Sequence, residues 1–167
     1  MQAQVIADAV SKMAASGVDY VKVGLFNQPG SESCIEDLQP SLSTVDTPVI
    51  AVVFADEVND ISLIAAIKRA GFAGVMLDTA SKNGLTLLDH WTLEALQDFV
   101  ETSRKAELLS GLAGALRIED IDKLEPLDAD YLGFRSALCD RRQRTGTLDP
   151  QRAHAVRQRL HQFGLAS

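Results

Sequence analysis

The chain has 167 residues, 46% of them apolar, enough to bury one hydrophobic core, so residues 1–167 are expected to form a single domain. Sixteen basic against twenty-three acidic residues give a net charge of -7, which repels phosphate backbones and anionic lipid and argues against nucleic-acid and membrane partners. The longest apolar run, PVIAVVFA, falls far short of the roughly 20 residues needed to span a bilayer, and no charged–apolar–small leader pattern opens the chain, so a cytoplasmic location is expected.

In chain order, Ile6, Val10 and Met13 recur at helical spacing and Gly17 supplies a stop. DYVKVGLF then reads as a strand. The same alternation returns in PVIAVVFAD, GVMLDT, ELLSGLAG and DYLGFRSALC, giving five strands separated by helical patterns. Residues 31–45 are the weakest helical stretch, because Pro40 removes a hydrogen bond from any helix interior; that crossover is expected to be short or broken. Ile61, Ile64 and Ile67, stopped by Gly71, mark one helix, and Leu93, Leu96 and Val100 mark another. In the last helix Asp149 is the expected N-cap and Pro150 the first helical residue. Ala153, Val156, Leu160 and Phe163 form its apolar stripe, and Gly164 ends it.

Strands alternating with helices in units of about 25 to 35 residues predict an α/β fold, a parallel sheet covered by helices. Two architectures fit. A doubly wound open sheet is complete with five strands, whereas a closed (β/α)₈ barrel usually takes about 250 residues and no fewer than roughly 200. Length favours the open sheet. The patterning of DYVKVGLF favours the barrel: Val21, Val23 and Leu25 face one side and Tyr20, Lys22 and Gly24 the other, as when one face meets helices and the other an active-site interior.

In both architectures chemistry collects at the carboxyl ends of the strands. Lys22, Asp56, Asp78, Lys82, Gly114 and Arg135 lie at or near such ends. A lysine in an apolar strand is costly as a cation unless paired, and burial moves its pKa down to where a free amine acts as base or nucleophile. Asp78 is a candidate partner for Lys22 and Lys82, and a carboxylate beside ammonium groups suits enolisation and aldol chemistry at a carbonyl. The competing reading makes Asp78 a turn cap and sends both lysines to solvent along their stems. Gly114, after the fourth strand, and Arg135 with Ser136, after the fifth, form a second constellation. Backbone N–H groups there are placed as in the phosphate loops that close many barrels, although the run Arg141, Arg142 and Arg144 equally fits a solvated loop.

His90, His154 and His161 lack metal-ligand spacing, and Cys34 and Cys139 lack a CxxC or Cys–His pattern. No metal is expected, the thiols read as buried, and Trp91 reads as core or interface. Glycine-rich dinucleotide fingerprints, P-loops and serine elbows are missing from the sequence.

The segments DYVKVGLF, FAD, GVMLDTASKNGLTLLD, LAGALRIEDI, GFRSALC and RTGTLD together resemble the (5-formylfuran-3-yl)methyl phosphate synthase family of methanofuran biosynthesis over nearly the whole chain. The resemblance implies a (β/α)₈ barrel that condenses two glyceraldehyde 3-phosphate molecules by Schiff-base, aldolase-like chemistry and dehydration, with no metal or organic cofactor. It assigns Lys22, Asp78 and Lys82 to the active site, with Asp78 and Lys82 as the proton-transfer pair. Gly114, Ala115, Arg135, Ser136 and the loop through Gly146 fall in the phosphate-binding region. The sequence departs from the pattern at Ala115, where a serine is usual, and at Ser136, where a glycine is usual, changing what those positions offer a phosphate.

Family members carry about three further strands before the segment matched here, the second ending in an aspartate-valine-lysine motif with the expected Schiff-base lysine. The five strands therefore correspond to strands four to eight, the C-terminal five-eighths of a barrel. A sheet open at both edges is expected to recruit a second copy of the chain or a complementing N-terminal chain. The rival functional reading is a non-catalytic half-barrel that binds a phosphorylated metabolite; another lysine-dependent sugar-phosphate aldolase is the third.

Overall fold

The computed structural model describes residues 3–26, 31–58, 61–81, 83–139 and 146–162. Its centre is a parallel sheet of five strands, β1 (Val21–Leu25), β2 (Val49–Phe54), β3 (Gly74–Asp78), β4 (Leu109–Leu112) and β5 (Tyr131–Leu132). They pair in the order β1-β2-β3-β4-β5, every neighbour parallel. A doubly wound sheet reverses its strand order at a switch point. This one advances strand by strand in a single direction, so the doubly wound alternative is set aside.

Helices bridge the strands. α1 (Ala3–Ala14) precedes β1, and the β1–β2 crossover is broken into α2 (Ser31–Asp37) and α3 (Gln39–Leu42). Pro40 lies in the first turn of α3, where its missing N–H is tolerated, so the proline divides the crossover as its chemistry predicts. α4 (Leu63–Arg69) follows β2, and α5 (Leu87–His90) and α6 (Leu93–Lys105) follow β3. α7 (Ile121–Leu124) lies between β4 and β5, and α8 (Pro150–Gln162) after β5. Thr92 caps α6 by accepting the Ala95 N–H at 3.2 Å, and Asp149 caps α8 by accepting the Gln151 N–H at 2.9 Å.

The sheet has two apolar faces. Val21, Val23, Ala51, Val53, Val75 and Leu77 pack with the helices in the main core. Ile50, Val52, Met76 and Ala113 form a second cluster on the opposite face, flanked by Phe54, Leu109 and Tyr131. Trp91 is buried as expected, its indole N–H shared between the carbonyls of Ala55 and Val58 at 3.2 Å, and both cysteines are buried thiols.

Several expected elements come out differently. In α1, Met13 is 53% exposed while Ala7 and Val10 are buried, because the helix has one sheet neighbour, β1, and only a narrow strip of contact. In α6, Leu93 is 43% exposed and the buried stripe is Leu96, Phe99, Val100 and Ser103. Trp91 takes the core position beneath the first turn, its ring edge-on to Phe99 at 6.4 Å. Ile61 lies just outside α4 and only partly buried, and DYLGFRSALC contributes two strand residues before turning into a 3₁₀ turn at Ser136–Leu138. Phe163 and Gly164 lie outside the described residues.

Candidate active site

Strand register sets the geometry. Lys22 is opposite Ile50, Ile50 is opposite Gly74, and Phe54 is opposite Asp78. With side chains alternating every residue, Lys22, Gly24, Ile50, Val52, Phe54, Met76 and Asp78 share the face away from the main helical core. Lys22 sits low on that face and reaches upward: its Nζ lies 3.4 Å from Met76 Sδ and 5.4 Å from the centre of the Tyr131 ring. The ammonium is thus placed by a thioether and an aromatic face, a cation–π contact of modest strength. Asp78 stands four residues beyond the level of Lys22, at the carboxyl end of β3. Its Oδ1 accepts the N–H of Thr79 at 2.7 Å, the local turn contact foreseen in the competing reading.

Tyr131 lies flat across Gly111. A Cβ on Gly111 would come 2.3 Å from Tyr131 Cζ, so only glycine leaves room for the ring. Burial pushes the Tyr131 phenol up to about 12, helped by Asp130 and Tyr20. Its hydroxyl oxygen is buried without a hydrogen-bond partner.

The loop after β3 is suspended from the end of β2. Asp56 Oδ1 accepts the Ala80 N–H at 2.8 Å and Oδ2 the Ser81 N–H at 2.7 Å. Burial raises the Asp56 pKa, but the N–H groups of Ser81 and Ala80 and the Ser81 hydroxyl outweigh it and hold the carboxyl at about 2, against an ordinary 3.8. Lys82, next in the chain, lies outside the described residues.

After β4 the backbone enters the left-handed region twice in succession, at Gly114 (φ 110°) and Ala115 (φ 50°). A Cβ on Gly114 would stand 2.9 Å from Thr79 Cγ2, so the loops after β3 and β4 meet where only glycine fits. Alanine in this region costs about 1–2 kcal/mol, strain that the Gly114 carbonyl helps to hold by accepting the Leu87 N–H at 2.9 Å. After β5, Arg135 leads into the turn Ser136–Leu138.

These loops surround one cleft of about 940 Å³ at the carboxyl ends of the strands. Six of the residues singled out from sequence line it together: Lys22, Asp78, Gly114, Ala115, Arg135 and Ser136. Gly146 is described and does not line it, and Arg141, Arg142 and Arg144 lie outside the described residues. Sequence reasoning missed Arg117 and Arg152, which also line the cleft. Arg117 was legible as a basic residue in LRIED soon after a strand. Arg152 lies on the outer helix and had no comparable signal. Among the described residues that line it, four cations, Lys22, Arg117, Arg135 and Arg152, meet two acids, Asp78 and Glu119, so that part of the cleft is basic in an acidic protein. Such a cleft favours an anionic occupant.

A one-directional parallel sheet with its cleft at the strand carboxyl ends defines an α/β protein with a ligand site where such sheets place it. The crystal structure of the citrate synthase SbnG superposes on 95% of the chain and 70% of its own length, with a TM-score of 0.61 at 14% identity, a likeness of fold. Residues 1–157 match the model of the 4-HFC-P synthase family, and the chain belongs to that family. A relative from Methylorubrum extorquens is 39% identical over 152 residues, covering 90% of this chain and 62% of the relative. The (5-formylfuran-3-yl)methyl phosphate synthase of Methanococcus maripaludis strain C5 is 34% identical over 139 residues, covering 77% and 59%. That of Methanopyrus kandleri is 35% identical over 163 residues, covering 91% and 68%. The chain thus spans roughly three-fifths to two-thirds of the length of these relatives.

Proposed function

We propose that the cleft serves the condensation of two glyceraldehyde 3-phosphate molecules into (5-formylfuran-3-yl)methyl phosphate. The observation that carries this reading is that Lys22 and Asp78 share one sheet face and open, with Gly114 and Arg135, into a single basic cleft. Atom balance fits such a site: two triose phosphates lose one inorganic phosphate and two waters to give the furan. Lys22, standing in for the Schiff-base lysine that the resemblance places before this segment, attacks an aldehyde carbon through Nζ, and water leaves as the imine forms. Asp78 takes the proton from the adjacent carbon, and the resulting carbanion equivalent attacks the second aldehyde. The family resemblance gives Lys82 as the proton-transfer partner of Asp78. Cleft cations hold the phosphates, and no metal or organic cofactor enters the scheme.

Borohydride reduction in the presence of triose phosphate, followed by mass mapping, tests it. A reduced three-carbon phosphate adduct on Lys22, lost in Lys22→Met, is expected together with the furan product. No adduct on Lys22 and no furan would end the reading.

A second reading, a phosphate-metabolite-binding half-barrel or complementing subunit without turnover of its own, draws on the sheet edge. Among the described residues β1 pairs on one side, with β2, and Tyr20 and Phe26 flanking it are 50% and 42% exposed. An open strand edge beside apolar side chains suits pairing with another chain, a second copy or a chain supplying further strands of the wall. Titration calorimetry with triose phosphate, read beside product analysis, separates binding without turnover from catalysis.

A further inference from the structure

We propose that Arg152 is the phosphate anchor of the cleft, held in position by Asp149; this rests on the reading that the cleft takes a phosphorylated aldehyde. Arg152 stands in the first turn of α8 and lines the cleft alongside Gly114, Ala115, Arg135 and Ser136. α8 packs against both the 3₁₀ turn Ile118–Asp120 that follows β4 and the turn Ser136–Leu138 that follows β5. Its first turn therefore serves the two loops at once.

Asp149 fixes this arrangement from three directions. Its N–H donates to the Leu138 carbonyl at 2.8 Å, tying the start of α8 to the β5 loop. Its Oδ1 accepts the Gln151 N–H at 2.9 Å, capping the helix. Its Oδ2 lies 3.3 Å from Arg152 Nε. A guanidinium paired through Nε keeps both Nη groups outside that pair, and two parallel N–H donors match two oxygens of a phosphate.

Two of the other cations have partners elsewhere. The Arg117 backbone N–H donates to Asp120 at 2.8 Å. Its charge faces Asp89, whose carboxyl is held below its usual range first by the N–H and hydroxyl of Thr86 and further by Arg117. Lys22 is engaged with Met76 and Tyr131. Ala115, which also lines the cleft, offers no side-chain donor to an anion.

Calorimetric titration of the full chain with inorganic phosphate, with glyceraldehyde 3-phosphate and with unphosphorylated glyceraldehyde tests the assignment. Arg152→Gln should weaken both phosphorylated ligands about ten- to a hundred-fold and leave glyceraldehyde unchanged. Asp149→Asn keeps an N-cap acceptor but loses the ion pair, so a smaller weakening with an unchanged circular dichroism spectrum is expected. A wild-type chain that binds phosphate, with Arg152→Gln binding it equally well, overturns this assignment and leaves the proposed function standing. A wild-type chain that binds neither phosphorylated ligand overturns both. A general loss of stability in Arg152→Gln without a phosphate-selective effect makes the residue structural and also overturns it.

Discussion

The carboxylate of Asp56, just beyond β2, accepts the backbone N–H of Ser81 at 2.7 Å, so the loop leaving β3 hangs from the end of its neighbour strand as well as from its own. The neighbouring Ala80 N–H reaches the other oxygen of the same side chain. One carboxylate therefore fixes the path of the segment that joins Asp78 to Lys82.

Removing that anchor should loosen the loop. Asp56→Ala is expected to cost about 2 kcal/mol, the usual worth of hydrogen bonds to a charged group. In a chain of this size that lowers the melting temperature by about 4–8 °C. In the proposed reaction turnover should fall further than stability, because the loop follows directly on Asp78. Scanning calorimetry beside the furan assay checks both.

Asp56 also gives the protein an acid limit. Its folded pKa, about 2, lies below the ordinary 3.8, so its contribution is complete above pH 3.8 and lost as pH falls toward 2. Acid unfolding followed by circular dichroism should show this loss between those values in the parent chain, and Asp56→Ala should show a shallower decline there.

Asp78→Asn tests proton transfer with little change of shape. The amide oxygen still accepts the Thr79 N–H, so the turn after β3 should keep its path. The amide can no longer take a proton, so in the proposed reaction turnover should fall about 10²- to 10⁴-fold with affinity for the proposed triose phosphate retained. Steady-state kinetics paired with calorimetric titration separates the two quantities.

Gly111→Ala should unseat Tyr131, since the new methyl group would overlap the ring. Overpacking of this kind costs about 1–3 kcal/mol. The second change Tyr131→Leu removes the overlapping ring and should recover part of that stability, although the aromatic face beside Lys22 is then gone. Urea unfolding of the two single variants and the double variant measures the coupling.

Tyr131 should titrate late. Tyr131 is held neutral to about pH 12, so ionisation favours the unfolded chain and stability should decline as pH rises from about 10 through 12. Ultraviolet difference titration of the parent and of Tyr131→Phe assigns the late transition.

Much of the wall was legible in the residues themselves. The alternation of Val21, Lys22, Val23, Gly24 and Leu25 put the apolar residues against helices and Lys22 on the opposite face, because a strand has a period of two and its two faces meet different surroundings. Pro40 announced the broken crossover, and Asp149 with Pro150 announced the start of α8, because proline geometry and cap chemistry are local. Met13 and Leu93 misled because helical spacing defines a stripe without saying how wide a surface it meets.

The sequence by itself determined the order of the elements, the strand faces and the strand-end positions of Asp78 and Gly114, all of which follow from local periodicity and side-chain type, whereas Lys22, expected near a carboxyl end, is the second residue of β1 and reaches the cleft along its stem. Only the tertiary structure decided that the strands pair in one unbroken direction, that Asp56 carries the β3 loop, that Tyr131 lies over Gly111 beneath Lys22, and that Arg152 joins the cleft from the last helix. Those relations join residues distant in the chain, and they are fixed by sheet register and by packing between loops, which no window of sequence contains.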